Sequence, residues 1–553
     1  MKIPYFSRRR FMAHALGLSG ATLIPWSIYQ HKFGGLPPVN VDYPGMAAGH
    51  YLRDHPIHHK PVTEHQCDIL ILGSGAAALT AAWQLKKQGK IGFVMLEGPE
   101  PNGNNAGGYD RELSFPTGAH YLSLPSEQSS HVRELLSDLG ILKQNMDQAR
   151  PAYDERLLTN APEGRLLYQG QWLSDLLPAQ DQDSIRFFKL VHQLGRSTGQ
   201  DKQPLFAIPV ALSSQDAQWR QLDQLTFRQW LDQNDYHSAT LRWYLNYCCR
   251  DDYGQGIDQV SAWAGLHYFA SRVQSQAEHA SYLVWPDGLA GLSNKIRAYI
   301  NFQGTNIQEF QSQPIPQAMA GFATKIIEHP DYVEVWTASY YGQQIHTACF
   351  KARQVICAMP LYMAARLVEN IQQYGFDPSQ HLPAYAPWLV SNFTLKQYPE
   401  ELKNEPLAWD NVVYEGKGLG YVVATHQWIR VAKPPRTVFT AYTALDFDKP
   451  DKIRYWLRHA SKKELLEKAS DDLLQVYGKR FWQCVEHVNI TVRGHAMATP
   501  LPRRFENTGL LALQQHHSRL LFAHADLSGY SIFEEAAWWG YQAAKHIIKQ
   551  DLG

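Results

Sequence analysis

The sequence predicts an α/β fold in more than one domain, and three stretches carry that prediction. The first is "CDILILGSGAAALTAAWQLKKQG", residues 67–89. Its wholly apolar run, of the kind buried on both faces of a parallel sheet, meets two glycines and becomes an alanine-rich helix ending at Gly89. The second is "IGFVMLE", another buried strand, which ends in the acid Glu97. The third is the rear of the chain. There "YVEVWTASYYGQQIHTACFKARQVICAMP" alternates apolar and polar residues with a turn at Tyr341-Gly342 and then becomes a buried strand, Gln354 to Ala358. "RLLFAHADLSGYSIFEEAAWWGYQAAKHII" closes the chain as strand, turn and helix.

The other elements are placed around these three. Residues 1–34 open with Ser7-Arg8-Arg9-Arg10-Phe11-Met12 and a moderately apolar stretch, the pattern of a twin-arginine export signal. That reading makes the export machinery a partner and the periplasm the location, with an uncleaved signal able to serve as an inner-membrane anchor. Residues 35–66, rich in Pro, Gly and His without periodicity, read as a linker. Its His55, His58, His59 and His65 lack the fixed spacing of a ligand set, so no metal site is expected. Residues 67–125 form the first piece of the strand–turn–helix domain, and 126–280 a mixed helical and loop region with amphipathic stretches such as Val132 to Leu139. Residues 281–360 return to the first domain. Residues 361–490 supply β-rich sequence and a helix from Ser461 to Gly478, and 491–553 complete the first domain.

At 553 residues one simple core is excluded. The 52 basic and 52 acidic side chains cancel, so net charge favours neither nucleic acid nor an anionic membrane as partner. The six cysteines show no CxxC spacing and read as buried thiols rather than a disulfide framework or zinc site. Beyond the N-terminus no segment reaches the roughly 20 apolar residues of a membrane span.

The turn after the first strand carries the chemistry. Gly73 makes the sharp turn, Gly75 lets a pyrophosphate approach the backbone, and Ala78 is small enough for helix–strand contact. The free N–H groups and positive end of the helix face the phosphates. Glu97 lies 97 − 73 = 24 residues beyond the first glycine, where an acid accepts hydrogen bonds from both ribose hydroxyls and repels a 2′-phosphate. The reading is a Rossmann-type domain for FAD or NAD rather than NADP.

The motifs beyond the ribose acid separate FAD from NAD. Gly107-Gly108 is the first of them, then Gly118-Ala119-His120. "WPDGLAGLSNKI" opens a helix, and the meander and closing strand–turn–helix come later, in order over roughly residues 67–550. This series resembles the flavin-dependent amine oxidase and phytoene desaturase superfamily. The resemblance implies a discontinuous Rossmann-type FAD-binding domain with a mixed α+β substrate domain. It implies FAD contacts at Gly73, Gly75, Ala77, Ala78, Glu97, Gly107, Gly108, Arg111, Gly118, Ala119, His120, Ala323, Asp526 and Ser528. It also implies an oxidoreductase acting on an amine or other small organic substrate by hydride transfer to the flavin, with oxygen or a quinone as electron acceptor.

The chain departs from the family pattern in four places. Tyr109 stands where arginine follows Gly-Gly, with Arg111 two residues on. The acid of the terminal motif is shifted by one, to Asp526, and Glu-Gly-Ala is Glu534-Glu535-Ala536. The lysine that amine oxidases often carry beside the flavin is replaced by Ser391 and Asn392, with Lys396 further along. His495 in "RGHAMATPLP" and Asn392 in an apolar strand are the candidate catalytic pair by position, against a reading of each as a core polar residue satisfied by the backbone. Trp388, Trp409, Tyr421 and Trp538 are candidates for an aromatic wall. Two alternatives stand beside the oxidase: a flavin-dependent desaturase or isomerase of a hydrophobic substrate, and a non-catalytic flavin-bound relay or assembly protein.

Overall fold

The run Cys67–Leu72 offers no polar face apart from Asp68, and it lies at the centre of a sheet. A computed structural model of the chain describes residues 36–54, 59–273, 282–341, 344–402 and 405–550. The export segment 1–34, His55, His58 and the turn at Gly342 lie outside the described residues. Strand β1 (Glu64–Leu72) is followed by helix α1 (Ala76–Lys87) and strand β2 (Phe93–Leu96), which pairs parallel to β1. Helix α2 (Leu289–Ile300) packs on α1, and strand β3 (Gln344–Cys357) lies parallel to β1 on its other side. The sheet reads Gln303–Thr305, Gln317–Met319, β2, β1, β3, Val333–Tyr341, Phe322–Glu328, and Leu520–Phe522 adds parallel to the end of β3. Three stretches of chain far apart in sequence thus build one sheet.

Helix α1 is buried from Ala77 to Leu85, which its alanines permit. The closing helix α3 (Phe533–Gln550) crosses it so closely that a Cβ on Gly540 would lie 2.0 Å from the Ala77 carbonyl oxygen. Gly540→Ala must push the two helices apart. An expected loss of about 1–3 kcal/mol would appear as a lower urea midpoint of the apoprotein, and an unchanged midpoint would remove the contact from the core.

The second sheet is built around β4 (Ala384–Leu395), β5 (Thr437–Ala444) and β6 (Val485–Thr499), with β4 antiparallel to both neighbours. Tyr421–Val423, Asp410–Val413, Gly164–Tyr168 and Gln171–Leu173 extend it beyond β5. Amphipathic helices between Gln182 and Ala270 form a separate core around Phe187, Phe227, Leu245 and Trp263.

Two expectations are corrected. Residues 35–66 are not only a linker: Val39–Asp42 adds to the edge of the second sheet parallel to β6, and Met46–Asp54 is helical. Four alternating residues between prolines are too short a signal for periodicity to reveal. A boundary at residue 490 cuts through β6, which stays in the second sheet to Thr499 and pairs with β4 along its length. The six cysteines are buried and unpaired. Among the described residues no helix is long and apolar enough to cross a membrane.

Candidate active site

The carboxyl ends of β1, β2 and β3 open into a cavity of about 1740 Å³ whose other wall is the second sheet. That exceeds the roughly 300–1,000 Å³ of a pocket for one drug-sized ligand, and leaves room for a dinucleotide and a second molecule. Gly73 has φ +110°, donates its N–H to the Leu96 carbonyl at 2.8 Å, and would place a Cβ 3.0 Å from the Ala358 oxygen. Gly75 is the N-cap of α1, and no side chain caps its first N–H groups. Beside the Cβ position of Gly75 the nearest atom is the Asn102 carbonyl oxygen, 4.0 Å away, so the approach to those donors is open. Ser74 Oγ donates to the Glu97 carbonyl at 2.6 Å and accepts the Asn102 N–H at 3.2 Å, tying turn, ribose acid and adjoining loop together.

Glu97 lines the cavity just beyond β2, paired at 2.6 Å with Arg297 of α2. Arg297 Nε donates to Asn102 Oδ1 at 2.7 Å, while its buried Nη2 has no protein partner. Uncapped helix N–H groups, an open glycine, an acid at the second strand and an orphaned buried guanidinium nitrogen together fit the phosphates and ribose of a dinucleotide. The residues that would hold it are Gly73, Gly75, Ala77, Glu97 and Arg297.

Of the other expected contacts, Gly118, Ala119, His120, Ala323 and Asp526 line the cavity. Gly118 leaves no space for a side chain, since a Cβ would lie 2.0 Å from the Asn104 oxygen, and its carbonyl accepts the Tyr442 hydroxyl at 2.9 Å. Ala78 is fully buried behind the turn. Several expectations are corrected. Gly107 and Gly108 stand in a hairpin outside the cavity, where a Cβ would strike Ala290 or the Phe115 ring, so their glycines answer to packing. Arg111 sits at the tip of that hairpin, 66% exposed, facing Glu486. The loop nearest the phosphate turn is instead Asn102–Asn105, where Gly103 would place a Cβ 3.6 Å from Gly75 Cα. Ser528 lies outside the cavity, donating to Glu535 Oε2 at 2.5 Å and accepting Trp539 Nε1 at 2.6 Å.

Asp526 Oδ2 accepts the Leu361 N–H at 2.8 Å and the Tyr385 hydroxyl at 2.7 Å. Burial would raise its pKa, but His524 and these donors hold it below the ordinary carboxylate value. Its carboxylate is engaged by the protein.

The catalytic pair separates. Asn392 shares the face of β4 that presents Trp388 and Val390 to the cavity, but Pro116 covers it. Its Nδ2 donates to the Pro116 carbonyl at 2.9 Å and its Oδ1 accepts Thr440 Oγ1 at 2.7 Å. Asn392 is a fully buried joint between sheet and loop, not a catalytic group. His495 does line the cavity, stacked on Tyr362 at 4.6 Å. Burial, with Arg454 and Arg366, pushes its pKa down to about 4, so it is neutral at neutral pH. Trp388 belongs to the wall, while Trp409 stands behind it against His120 and Tyr121. Tyr421 bonds Tyr477 in the core and Trp538 packs on His131.

Four cavity residues were not anticipated. Arg493 of β6 donates to the Thr117 carbonyl, to Asn104 Oδ1 and to Glu100 at 2.7–2.9 Å, clamping the loops of the phosphate turn to the second sheet. Tyr442 stacks on His120 at 4.3 Å, and burial pushes the His120 pKa down to about 3. Tyr121 donates its hydroxyl to Asp251 Oδ2 at 3.1 Å. Burial, with the neighbouring Asp252 charge, pushes Asp251 up to about 7. The signal for Asp251 in the sequence is the acid pair Asp251-Asp252, one residue beyond Cys248-Cys249, on a helix whose buried positions are Leu241, Leu245, Cys248, Cys249, Asp252 and Tyr253. The half-buried Asp410 is raised well above its ordinary value by removal from solvent and by Asp251. Here the protein lines the cavity with a carboxyl group bonded to Tyr121, whose ring leads through His120 and Tyr442 to Trp388 in a run of aromatic contacts.

The fold and cavity include a dinucleotide-binding domain of the Rossmann type, and residues 71–139 match the family described as an NAD(P)-binding Rossmann-like domain. Comparison with curated protein sequences finds no match. Among solved structures the chain is similar to putrescine oxidase bound to putrescine (TM-score 0.60, 15% identity, 88% of this chain and 100% of that one). It is similar to cyclohexylamine oxidase from Brevibacterium oxydans (0.58, 16%, 88% and 100%) and to a CLA-producing fatty acid isomerase from P. acnes (0.58, 15%, 88% and 98%). The chain therefore shares the fold of these three structures over 88% of its length.

Proposed function

We propose that the protein is an exported FAD-dependent oxidoreductase that oxidises a small cationic amine. The observation that carries this reading is Asp251, held by Tyr121 and lining, with the rings of His120, Trp388 and Tyr442, the same cavity as the dinucleotide turn. Bound there, FAD supplies a two-electron acceptor reoxidised by oxygen or a quinone. The protein's own share is to bind, orient and exclude water. Ionised Asp251 pairs with the ammonium group, and aromatic faces of Tyr121 and Tyr442 favour a cation beside them. Neutral His120 adds no competing charge. In the described part of the cavity Lys325 is the one lysine, and it is paired with Glu369 at 2.7 Å, so the positioning rests on other groups than the lysine of the amine oxidase pattern. Putrescine oxidase and cyclohexylamine oxidase, similar in fold, act on amines by their names, which supports the same class here. The Arg8-Arg9 pattern supports export to the periplasm through the twin-arginine machinery.

The test is the visible spectrum of the purified protein before and after anaerobic addition of mono-, di- and polyamines. A flavin spectrum that bleaches with one class is expected. A flavin that stays oxidised with every amine, yet is reduced by dithionite, overturns the amine substrate. A colourless protein that takes up no added FAD overturns the cofactor.

A further inference from the structure

One end of the second sheet carries a patch that the cavity does not use. The segment His426–Arg436, "HQWIRVAKPPR", joins Tyr421–Val423 to β5 without regular structure, and contains three cations and no acid. Ile429 is 79% exposed and Val431 wholly so, side by side with Arg430. Below them Trp428 packs against Leu113, Phe115, Ala424 and Val438, and the Arg430 guanidinium lies 3.6 Å over its ring. Lys433 Nζ stands 3.6 Å over Tyr398. The adjoining hairpin adds Tyr109, 72% exposed, and Arg111. The nearby acids are taken up: Arg436 pairs with Asp110 and Glu486 at 2.8 Å and with Glu112 at 3.3 Å, fixing loop and hairpin to the end of β6.

The chain leaves the described region at this same end. Val488 donates its N–H to the Pro38 carbonyl at 2.9 Å, and Val39 lies beside Val488 in a parallel pair. Residue 36 therefore lies towards the Glu486 end of β6, the end where Arg436 ties down the loop. The 35 residues before it hold five basic side chains (Lys2, Arg8, Arg9, Arg10 and Lys32) and no acid. The balanced charge of the whole chain conceals this local excess.

We propose that this end of the protein is a membrane-docking face, with Ile429 and Val431 entering the headgroup boundary of an anionic bilayer and Arg430, Lys433 and Arg111 pairing with lipid phosphates. Exposed aliphatic side chains at a loop tip, flanked by cations above a tryptophan, match the chemistry of an interfacial anchor. The acid-free N-terminal segment emerging at the same end can meet the same plane. Two weak anchors acting together hold a protein where one gives marginal, reversible binding.

The test is co-sedimentation of the full chain with vesicles of phosphatidylethanolamine and phosphatidylglycerol, and with phosphatidylcholine vesicles, across a salt series. A second arm places an environment-sensitive fluorophore at I429C. The expected result is binding to the anionic vesicles that salt weakens, with a blue-shifted label. I429S/V431S should reduce binding about tenfold or more and R430S/K433S several-fold, with cofactor content unchanged. Sedimentation with no shift of the label would mean that the N-terminal segment alone holds the protein, and would overturn the proposal. Equal binding to phosphatidylcholine would overturn it as well, as would a dimer in light scattering that I429S/V431S dissociates.

Discussion

Asp251→Asn is expected to lower kcat/KM for a cationic amine by roughly 30- to 5,000-fold, the 2–5 kcal/mol lost when one partner of an enclosed charge pair is removed. The amide keeps the shape and still accepts the Tyr121 hydroxyl, so flavin content and reduction by dithionite should not change. The pH dependence carries an independent sign. Burial raises the Asp251 pKa to about 7, so below that pH the free protein holds a neutral carboxyl, and a cation must displace its proton to bind. Apparent affinity should therefore rise about tenfold per pH unit up to about 7 and flatten above it. His495, held down to about 4, contributes no step in that range. A D251N protein that retains the wild-type profile would assign the titration to another group and return Asp251 to the core.

Gly75→Val is the second large effect, and it isolates the ligand from the fold. The residue has φ −75° and ψ −171°, which valine adopts, and the nearest protein atom to its Cβ position is 4.0 Å away. The apoprotein should unfold at its ordinary urea midpoint. The added side chain instead occupies the space where a pyrophosphate would meet the first N–H groups of α1. FAD affinity should fall on the order of hundredfold, about 2.7 kcal/mol, measured by flavin fluorescence on titration into apoprotein. Full affinity in G75V would place the dinucleotide elsewhere in the cavity. Gly73 cannot serve the same purpose, because its φ of +110° and its contact with Ala358 make any substitution a test of the fold.

The dinucleotide half of the site was legible because backbone demands write themselves into local sequence. A turn at positive φ asks for Gly73, a close approach for Gly75, and a ribose for an acid at the end of the next strand. The substrate half was not, because its residues converge from elements whose sequences are ordinary. Tyr121, Asp251, Trp388 and Tyr442 come from a short strand, a helix and two strands of another sheet. Asn392 shows the limit of pattern reading most directly. Its alternation with Trp388 and Val390 put it on the correct face, and only the path of Pro116 across that face removes it from the cavity. Gly107-Gly108 misled in the opposite way: a glycine pair looks the same whether a ligand or a phenylalanine ring needs the space.

The crossing of α3 over α1 at Gly540 has a consequence for biosynthesis. The phosphate turn leaves the ribosome long before the strand Leu520–Phe522 beside β3 and the helix that backs it. The nucleotide-binding half cannot close until α3 has been made, and such long-range closure is slow compared with local folding. A nascent chain halted before Phe533 would carry the whole fingerprint and no rear wall to hold it rigid. A rigid phosphate turn is thus a report that α3 has been made and docked.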